Sequence, residues 1–442
     1  MSILWPEGQE PQHVVAIIGG AVSGSEAART LSERGILCVV IEQNARPYGK
    51  IEDGLPRWHV KLRQAECAKI DENLARANVV YVPETRIGRD LSLDELLNVW
   101  GVDAVILASG AWRDRPLALE GVDRYLNRGL VYQNAFVHWF NHRLDPGYSG
   151  PSYEIRDGAI VVGGGLASID VAKIINFELY AEALHQRGIG VDVETLEHKG
   201  IARVLEEHGL SSHTLGIKGC TLYYRRRKRD MPLASAPEGA TEAQMAKVET
   251  ARERIMNKVI EQCLVGFEEC HMPVAPIVED DRLVGLRFVR TEVVGGRLVP
   301  VEGSERDVMA PMVVSSVGSI PEPFQGIPTK GELFRWSNSQ TGELEGINRI
   351  FGLGNVLTGK GNIKASRANA KQISQGVIAR VLEMPEAVHA QAEHVAKVVA
   401  SNPRRTPEQL CRIREGIGDR WRKVGYTGDY HAWTRRTGVG PA

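Results

Sequence analysis

The sequence IIGGAVSGSEAA at residues 17–28 decides the fold, because closely spaced glycines join a short apolar, β-branched run to a helical pattern. Gly19 suits a tight turn, and Gly24 suits close packing of the helix on the strand. Ala21 stands where a third glycine usually lets the backbone approach a pyrophosphate at the helix start. Glu42 ends the next predicted strand, where a carboxylate accepts hydrogen bonds from ribose hydroxyls. The stretch predicts a dinucleotide-binding corner, and a structural turn without a ligand is the alternative that Ala21 favours.

A second stretch, IVVGGGLASID at residues 160–170, repeats this arrangement further along the chain. Its apolar start predicts a strand and its end predicts a helix, with Ser168 as the small third residue of the pattern. The cofactor-binding candidates of this corner are Gly163, Gly164, Gly165, Leu166 and Ala167. The sequence therefore predicts two nucleotide-binding units that lie well apart in the chain.

A basic run, RRRKR at residues 225–229, follows the strand candidate after the second glycine stretch. In an NAD site this strand end carries an acid for the ribose 2′-hydroxyl, whereas an arginine there suits a 2′-phosphate. Guanidinium groups bind phosphate through two hydrogen bonds and stay charged. Arg225, Arg226 and Arg227 are therefore candidate NADP ligands. A solvated basic loop and a docking patch for an acidic protein are the alternatives.

Composition narrows the function further. The 442 residues suffice for two or three domains. The chain has nearly balanced charges, with 54 Lys and Arg against 55 Asp and Glu, so its net charge indicates neither nucleic acid nor anionic lipid as a bulk partner. Six cysteines form no Cys-x-x-Cys pair, which argues against zinc, an iron–sulfur cluster and a redox dithiol, so we expect no metal site. The start lacks an export signal and no apolar stretch reaches membrane length, so we predict a cytoplasmic protein without a membrane span.

Several further segments carry a family likeness in their order along the chain. They are PYGKIEDGLP at 47–56, IGRD at 87–90, ASG at 108–110, AFVHWFN at 135–141, GN at 354–355 and GKGNI at 359–363. Over roughly residues 12 to 382, the chain resembles the adrenodoxin reductase family with its bacterial ferredoxin–NADP reductases. The glutamate synthase small subunit is a more distant relative of that family. The departures are Ala21, Asn355 where tryptophan is common, His142 where glycine is expected, and a loop at Gly359 that is about one residue short.

The resemblance implies an α/β fold with two Rossmann-like dinucleotide-binding domains and a helical C-terminal extension. The FAD-binding domain would be discontinuous, formed by residues 1–112 and 319–384. The NADP-binding domain would span residues 113–318, and the extension would span 385–442. The extension mixes aromatic and basic residues, so it either packs around the FAD domain, which we expect, or recognises a partner.

The resemblance also implies roles for individual residues. By family match, the FAD contacts would be Ser23, Glu42, Lys50, Gly361 and Ile363, and the segment that returns over the flavin adds Gly354, Asn355 and Asn362. The NADP contacts would be Gly165, Leu166, Arg225, Arg226 and Glu238. His59 falls at the place of an active-site histidine, and Asp170 at the place of an acid near the nicotinamide. The alternatives are a surface histidine and an acid that favours the helix dipole.

The function that the resemblance implies is transfer of a hydride from NADPH to FAD, followed by electron transfer to a ferredoxin-like or other metalloprotein acceptor. The chain lacks a cysteine pair beside the flavin, which excludes disulfide reduction of the glutathione reductase type. Two alternatives are open. One is a flavin-dependent oxidase or monooxygenase, and the other is a non-catalytic subunit of a larger electron-transfer complex.

Overall fold

The computed structural model describes residues 5, 10–236, 239–358 and 384–437. In chain order its strands are β1 (Val14–Ile18), β2 (Leu37–Ile41), β3 (Val79–Val82), β4 (Ala104–Leu107), β5 (Arg113–Asp114), β6 (Leu130–Tyr132), β7 (Ile160–Gly163), β8 (Thr221–Tyr223), β9 (Gly266–Glu268), β10 (His271–Glu279), β11 (Arg282–Val294), β12 (Arg297–Pro300), β13 (Arg306–Met309), β14 (Val313–Ser316), β15 (Ser319–Ile320), β16 (Thr329–Lys330), β17 (Leu333–Phe334), β18 (Trp336–Asn338), β19 (Glu343–Leu344) and β20 (Ile347–Gly352).

The α-helices alternate with many of these strands. They are α1 (Val22–Ser32), α2 (Lys50–Asp53), α3 (Val60–Leu74), α4 (Gln133–His142), α5 (Leu166–His185), α6 (Val193–Lys199), α7 (Ile201–Glu207), α8 (Ser212–Leu215), α9 (Glu242–Cys263), α10 (Asn355–Thr358), α11 (Met384–Ala400), α12 (Pro407–Val424) and α13 (Tyr430–Thr437). No helix in the described ranges is both long enough and apolar enough to cross a membrane.

The first sheet combines strands from distant parts of the chain. Its order is β18-β19-β20-β4-β1-β2-β3, and β1 pairs in parallel with both β2 and β4. Every residue of β1 and β2 is buried, because helices cover a parallel sheet on both faces and such strands become continuously apolar. The turn from β1 to α1 lies where the strand order reverses, the position at which open α/β sheets bind ligands.

The second sheet has the same arrangement around the strand that precedes its glycine corner. Its five strands follow the order β6-β14-β7-β8-β9, and β7 pairs in parallel with β14 and β8. The turn from β7 to α5 therefore also lies at a reversal of strand order. Between β9 and β14 the chain forms an antiparallel sheet of β10 to β13. The predicted pair of Rossmann-like folds, with the first discontinuous in sequence, is confirmed.

Two short strands connect the sheets. β5 leaves the first sheet and β15 returns to it, and they pair in antiparallel fashion, with Ser319 opposite Asp114 and Ile320 opposite Arg113. The two crossings therefore lie side by side. The exact domain limits proposed from the sequence remain a prediction, although both crossings fall close to them.

The C-terminal helices pack against the first sheet and its helices, as expected for a packing extension. The indole N–H of Trp421 donates to the carbonyl of Tyr81 at 2.9 Å, and that of Trp433 donates to the carbonyl of Ala45 at 2.7 Å. The Tyr430 ring packs edge-on against the Tyr81 ring at 5.2 Å. These aromatic side chains of the tail thus pack against other parts of the same chain.

Candidate functional site

The first glycine corner has no room for side chains at two of its positions. Gly19 has a φ of 101°, and a β-carbon there would lie 2.8 Å from the carbonyl oxygen of Ala108. A β-carbon on Gly24 would overlap the carbonyl oxygen of Gly19. These contacts bring the start of α1 against the end of β1, as the spacing of the glycines predicts.

Ala21 departs from the usual glycine, and the structure accommodates its methyl group. The residue opposite is Gly49, where a β-carbon would lie 2.9 Å from the β-carbon of Ala21. Ala21 itself precedes α1, and among the described residues no side chain caps this helix start. The first N–H groups of a helix have no partner within the helix and favour an anion. The helix start at this corner therefore keeps its uncapped N–H groups despite the extra methyl group.

Glu42 is held firmly at the end of β2. Its carboxylate accepts hydrogen bonds from the backbone N–H of Gly20 at 2.9 Å and from that of Asn44 at 3.0 Å. Burial raises the pKa of Glu42, while these N–H groups act against that rise. Glu42 and Gly19 line a cavity of about 370 Å³ beside the corner. A carboxylate in this position can accept further hydrogen bonds from ligand hydroxyls.

A larger cavity of about 930 Å³ extends between the two glycine corners. This volume lies near the top of the range of about 300–1,000 Å³ for ligand sites. The predicted site residues that line it are Ala21, Ser23, Lys50, Gly163, Gly164, Gly165, Leu166, Ala167, Asp170, Arg225, Arg226 and Asn355. Four residues line both cavities, namely Ala21, Ala108, Ser109 and Trp112. The two cavities therefore adjoin, and together they reach both corners.

The second corner is packed as tightly as the first. A β-carbon on Gly163 would overlap the Ser168 hydroxyl and the carbonyl of Ser316, and one on Gly164 would overlap the Tyr224 ring. The Ser168 hydroxyl donates to the Ser316 carbonyl at 2.9 Å and so fastens α5 to β14. Within the described chain no side chain caps the start of α5. This corner also offers free N–H groups to an anion.

The structure divides the arginine cluster. Arg225 and Arg226 line the larger cavity, and neither forms an ion pair with any acidic residue that the structure describes. Arg227 lines neither cavity; half of its side chain is exposed, and it pairs with Asp230 at 3.2 Å. Two of the three predicted arginines therefore line the larger cavity, and the third does not.

Lys50 belongs to a polar cluster that spans the two crossings, which the sequence pattern did not reveal. Its Nζ donates to the Ser319 hydroxyl at 3.0 Å and to the Asn134 side-chain oxygen at 3.2 Å. The same ammonium group lies 5.5 Å from the centre of the Trp112 ring, and Asn134 donates to the Trp112 carbonyl at 2.8 Å. Lys50 is thus held at the cavity wall by residues from both parts of the chain.

Two buried polar atoms at the cavity wall lack partners. The Ser109 hydroxyl and the Asn355 side-chain oxygen make no hydrogen bond within the part of the chain that the structure describes. Buried polar atoms nearly always have a partner, so these two fit a site whose polar ligand supplies one. Gly354, just before Asn355, has a φ of 71°, which glycine adopts readily.

The two candidate catalytic residues have different surroundings. Asp170 is buried and lines the larger cavity. His59 is 8% exposed, lines neither cavity, and its Nε2 accepts a hydrogen bond from the Trp58 indole at 3.1 Å. Burial and the positive charge of Lys173 lower the pKa of His59 to about 4, so its ring is neutral near pH 7. The catalytic roles of both residues stay predictions.

Four predicted contacts fall outside the described residues. They are Glu238, Gly361, Asn362 and Ile363.

The chain is similar to several known proteins at low sequence identity, and no family model matches it. The NADPH-Fe(3+) oxidoreductase subunit beta of Geobacter sulfurreducens is 26% identical over 325 residues, which cover 70% of this chain but only 37% of the relative. The mitochondrial NADPH:adrenodoxin oxidoreductase of Arabidopsis thaliana is 24% identical over 349 residues, covering 72% of this chain and 70% of that protein. The glutamate synthase [NADPH] small chain of Bacillus subtilis is 30% identical over 178 residues, 39% of this chain and 34% of that protein.

The same fold occurs in a solved structure. FprA of Mycobacterium tuberculosis in complex with NADPH superposes with a TM-score of 0.67 at 18% identity, covering 93% of this chain and 91% of FprA. The fold is thus that of reductases with two dinucleotide-binding domains. Sequence and fold together confirm the chain's resemblance to the adrenodoxin reductase family.

Proposed function

We propose that the chain is a flavoprotein reductase that binds FAD at the first glycine corner and NADP(H) at the second. The observation that carries this proposal is the cavity of about 930 Å³ that both corners line. A flavin bound there would accept a hydride from the nicotinamide and release electrons singly. The matched part of the Geobacter relative is only 37% of its length, so activity, substrate and partner are all parts of the proposal.

Residues of the first corner fit FAD. The uncapped start of α1 would hold the pyrophosphate, and Glu42 at the smaller cavity would accept hydrogen bonds from the ribose. Ser23 and Lys50 line the larger cavity, where the ring system would lie. The unpartnered Ser109 hydroxyl sits between the two cavities and offers a hydrogen bond to the same ligand.

Residues of the second corner fit NADP(H). The N–H groups at the start of α5, next to Gly165, Leu166 and Ala167, would hold the pyrophosphate. Arg225 and Arg226 would bind the 2′-phosphate, since both residues line the cavity and neither has an acidic partner in the described chain. Glu238, outside the described residues, remains a proposed contact of the same ligand.

The chain's own contribution to the reaction would be alignment of two rings and exclusion of water. Lys50, fixed by Asn134 and Ser319, would keep the wall of the site rigid where the chain crosses between domains. Asp170 lines the larger cavity, which supports its proposed contact with a nicotinamide that enters from the second corner. His59 lines neither cavity, so a role for it would be that of a positioning residue.

The proposed acceptor is a ferredoxin-like iron–sulfur protein or another metalloprotein, and the proposed location is the cytoplasm. The support for the acceptor is that two relatives are named for adrenodoxin and for Fe(3+) as the species they reduce. A cytoplasmic location is supported by cysteines that are all free among the described residues.

The test is a visible spectrum of the purified protein, followed by anaerobic titration with NADPH and separately with NADH. We expect flavin absorption, bleaching by NADPH at much lower concentration than by NADH, and reoxidation by a one-electron acceptor. A colourless protein that gains no colour on incubation with FAD would point to the non-catalytic subunit. A flavin–peroxide intermediate in stopped flow with oxygen would instead favour the monooxygenase alternative.

A further inference from the structure

A cluster of two histidines and two aspartates lies where α2 meets α4. His138 and His142 are one turn apart on α4, and their ring centres lie 4.6 Å apart. His142 Nε2 is 2.9 Å from an oxygen of Asp53 at the end of α2, and His142 Nδ1 is 2.7 Å from an oxygen of Asp145. One ligand atom from each of Asp53, His138 and His142 lies within 4.8 Å of the others.

The contacts of His142 leave two electron-donating atoms facing each other. When Nδ1–H donates to Asp145, the neutral ring presents a lone pair at Nε2, and that lone pair points to the Asp53 carboxylate. A positive species is therefore needed between the ring and the carboxylate, either a proton or a metal ion. A carboxylate on the far nitrogen is also the arrangement that orients metal-binding histidines in general.

We propose that Asp53, His138 and His142 bind a divalent transition metal ion of the zinc type, with Asp145 orienting His142. Two imidazole nitrogens and one carboxylate oxygen suit such an ion and leave a fourth position for water. Ligands about 2.0–2.2 Å from zinc lie about 3.3 Å from each other in a tetrahedron, so the 2.9 Å contact between Asp53 and His142 needs only a small opening. The side chains are partly exposed, which gives an ion access.

This site lies outside the nucleotide cavities and uses residues that the cysteine pattern did not reveal. Asp53, His138 and His142 line neither cavity. The family resemblance led us to expect glycine at position 142, so the site is a property of this chain rather than a consequence of the resemblance.

The ion would fasten two helices that carry parts of the candidate active site. α2 begins with Lys50 and ends with Asp53, while α4 carries Asn134 near its start, His138 at its middle and His142 as its last residue. The Lys50–Asn134 hydrogen bond already joins the two helices at one end, and the metal would join them at the other. We therefore expect the ion to stabilise the folded chain.

The test is calorimetric titration of the chelator-treated full chain with Zn²⁺. We expect saturable binding of one ion per chain, and a higher midpoint of thermal unfolding when Zn²⁺ is present. His138→Gln removes one ligand but leaves both aspartate contacts of His142 in place, and should weaken binding by at least about 100-fold. Asp145→Asn should weaken it by about 10- to 100-fold, the usual effect of losing the orienting partner.

The matched control is His185→Gln, which removes an exposed histidine at the end of α5. It should bind Zn²⁺ as tightly as the unmodified chain. Circular dichroism shows whether each variant is folded, and it requires neither bound metal nor bound flavin. The proposal is overturned if the unmodified chain shows no one-to-one binding, or if His138→Gln and His185→Gln bind alike. Failure of the reductase proposal would leave these results unchanged.

Discussion

Arg226→Ala tests the second corner most directly, because the structure separates this arginine from its neighbours. Arg226 borders the cavity and has no acidic partner among the described residues, whereas Arg227 pairs with Asp230 at the surface. A hydrogen bond to a charged group contributes about 1.5–3 kcal/mol, which corresponds to roughly a 10- to 150-fold change in affinity. We expect Arg226→Ala to weaken NADPH binding by this factor and NADH binding by little, since only NADPH carries the 2′-phosphate.

The assay is an anaerobic titration that follows the flavin spectrum, with dissociation constants for NADPH and NADH measured on each variant. Arg225→Ala should behave like Arg226→Ala, and Arg227→Ala is the matched control that should bind both nucleotides normally. All measurements need one ionic strength, because salt screens a partly exposed charge. Equal weakening of NADPH and NADH by Arg226→Ala would refute the assignment. An effect of Arg227→Ala as large as that of Arg226→Ala would show that the site is only a diffuse basic surface.

Three further predictions concern stability. Gly49→Ala places a side chain at a φ of 52° and against the Ala21 methyl group, so we expect the free energy of unfolding in urea to fall by about 1–3 kcal/mol. Adding Ala21→Gly should restore only the part of this loss that is due to the contact between the two methyl groups. The pKa of His59 is lowered to about 4 in the folded chain, so His59 contributes stability at neutral pH that is lost as the pH falls from about 6.5 to 4, by up to about 3 kcal/mol. His59→Gln should flatten this pH dependence of the unfolding free energy. An unchanged slope would contradict the prediction. Trp433→Phe removes one of the hydrogen bonds between the tail and the first domain and should lower the free energy of unfolding by about 1 kcal/mol. An unchanged thermal midpoint would show that this contact adds nothing.

The fold could be predicted because its determinants are local. In each glycine stretch the strand, the turn and the helix start lie within about a dozen residues, and the packing that the glycines permit follows from their spacing alone. Glu42 could be placed for the same reason, since it directly follows β2, the first strand after α1. The order of the strands and the discontinuity of the first domain required the family resemblance.

Other parts of the site depend on contacts between distant residues. Lys50 meets Asn134 and Ser319 across separations of 84 and 269 residues, and no local pattern joins these positions. The arginine run likewise gave no means of separating Arg226 from Arg227, because their difference arises from the direction of the chain after β8 and from the nearby Asp230. The hydrogen bond that His59 Nε2 accepts from the Trp58 indole was likewise not apparent from the sequence, and the catalytic role of His59 stays a prediction.

The departure at Ala21 illustrates how a glycine motif can be imperfect while its backbone geometry is kept. A corner that had lost its ligand would be free to fill the space at the helix start with side chains or to cap it. Here Gly49 stays without a side chain opposite the Ala21 methyl, and no described side chain caps α1. The space that a third glycine would provide is therefore supplied by a residue from the following segment. The methyl group changes which residue must be small, and it does not remove the N–H groups to which a pyrophosphate would bind.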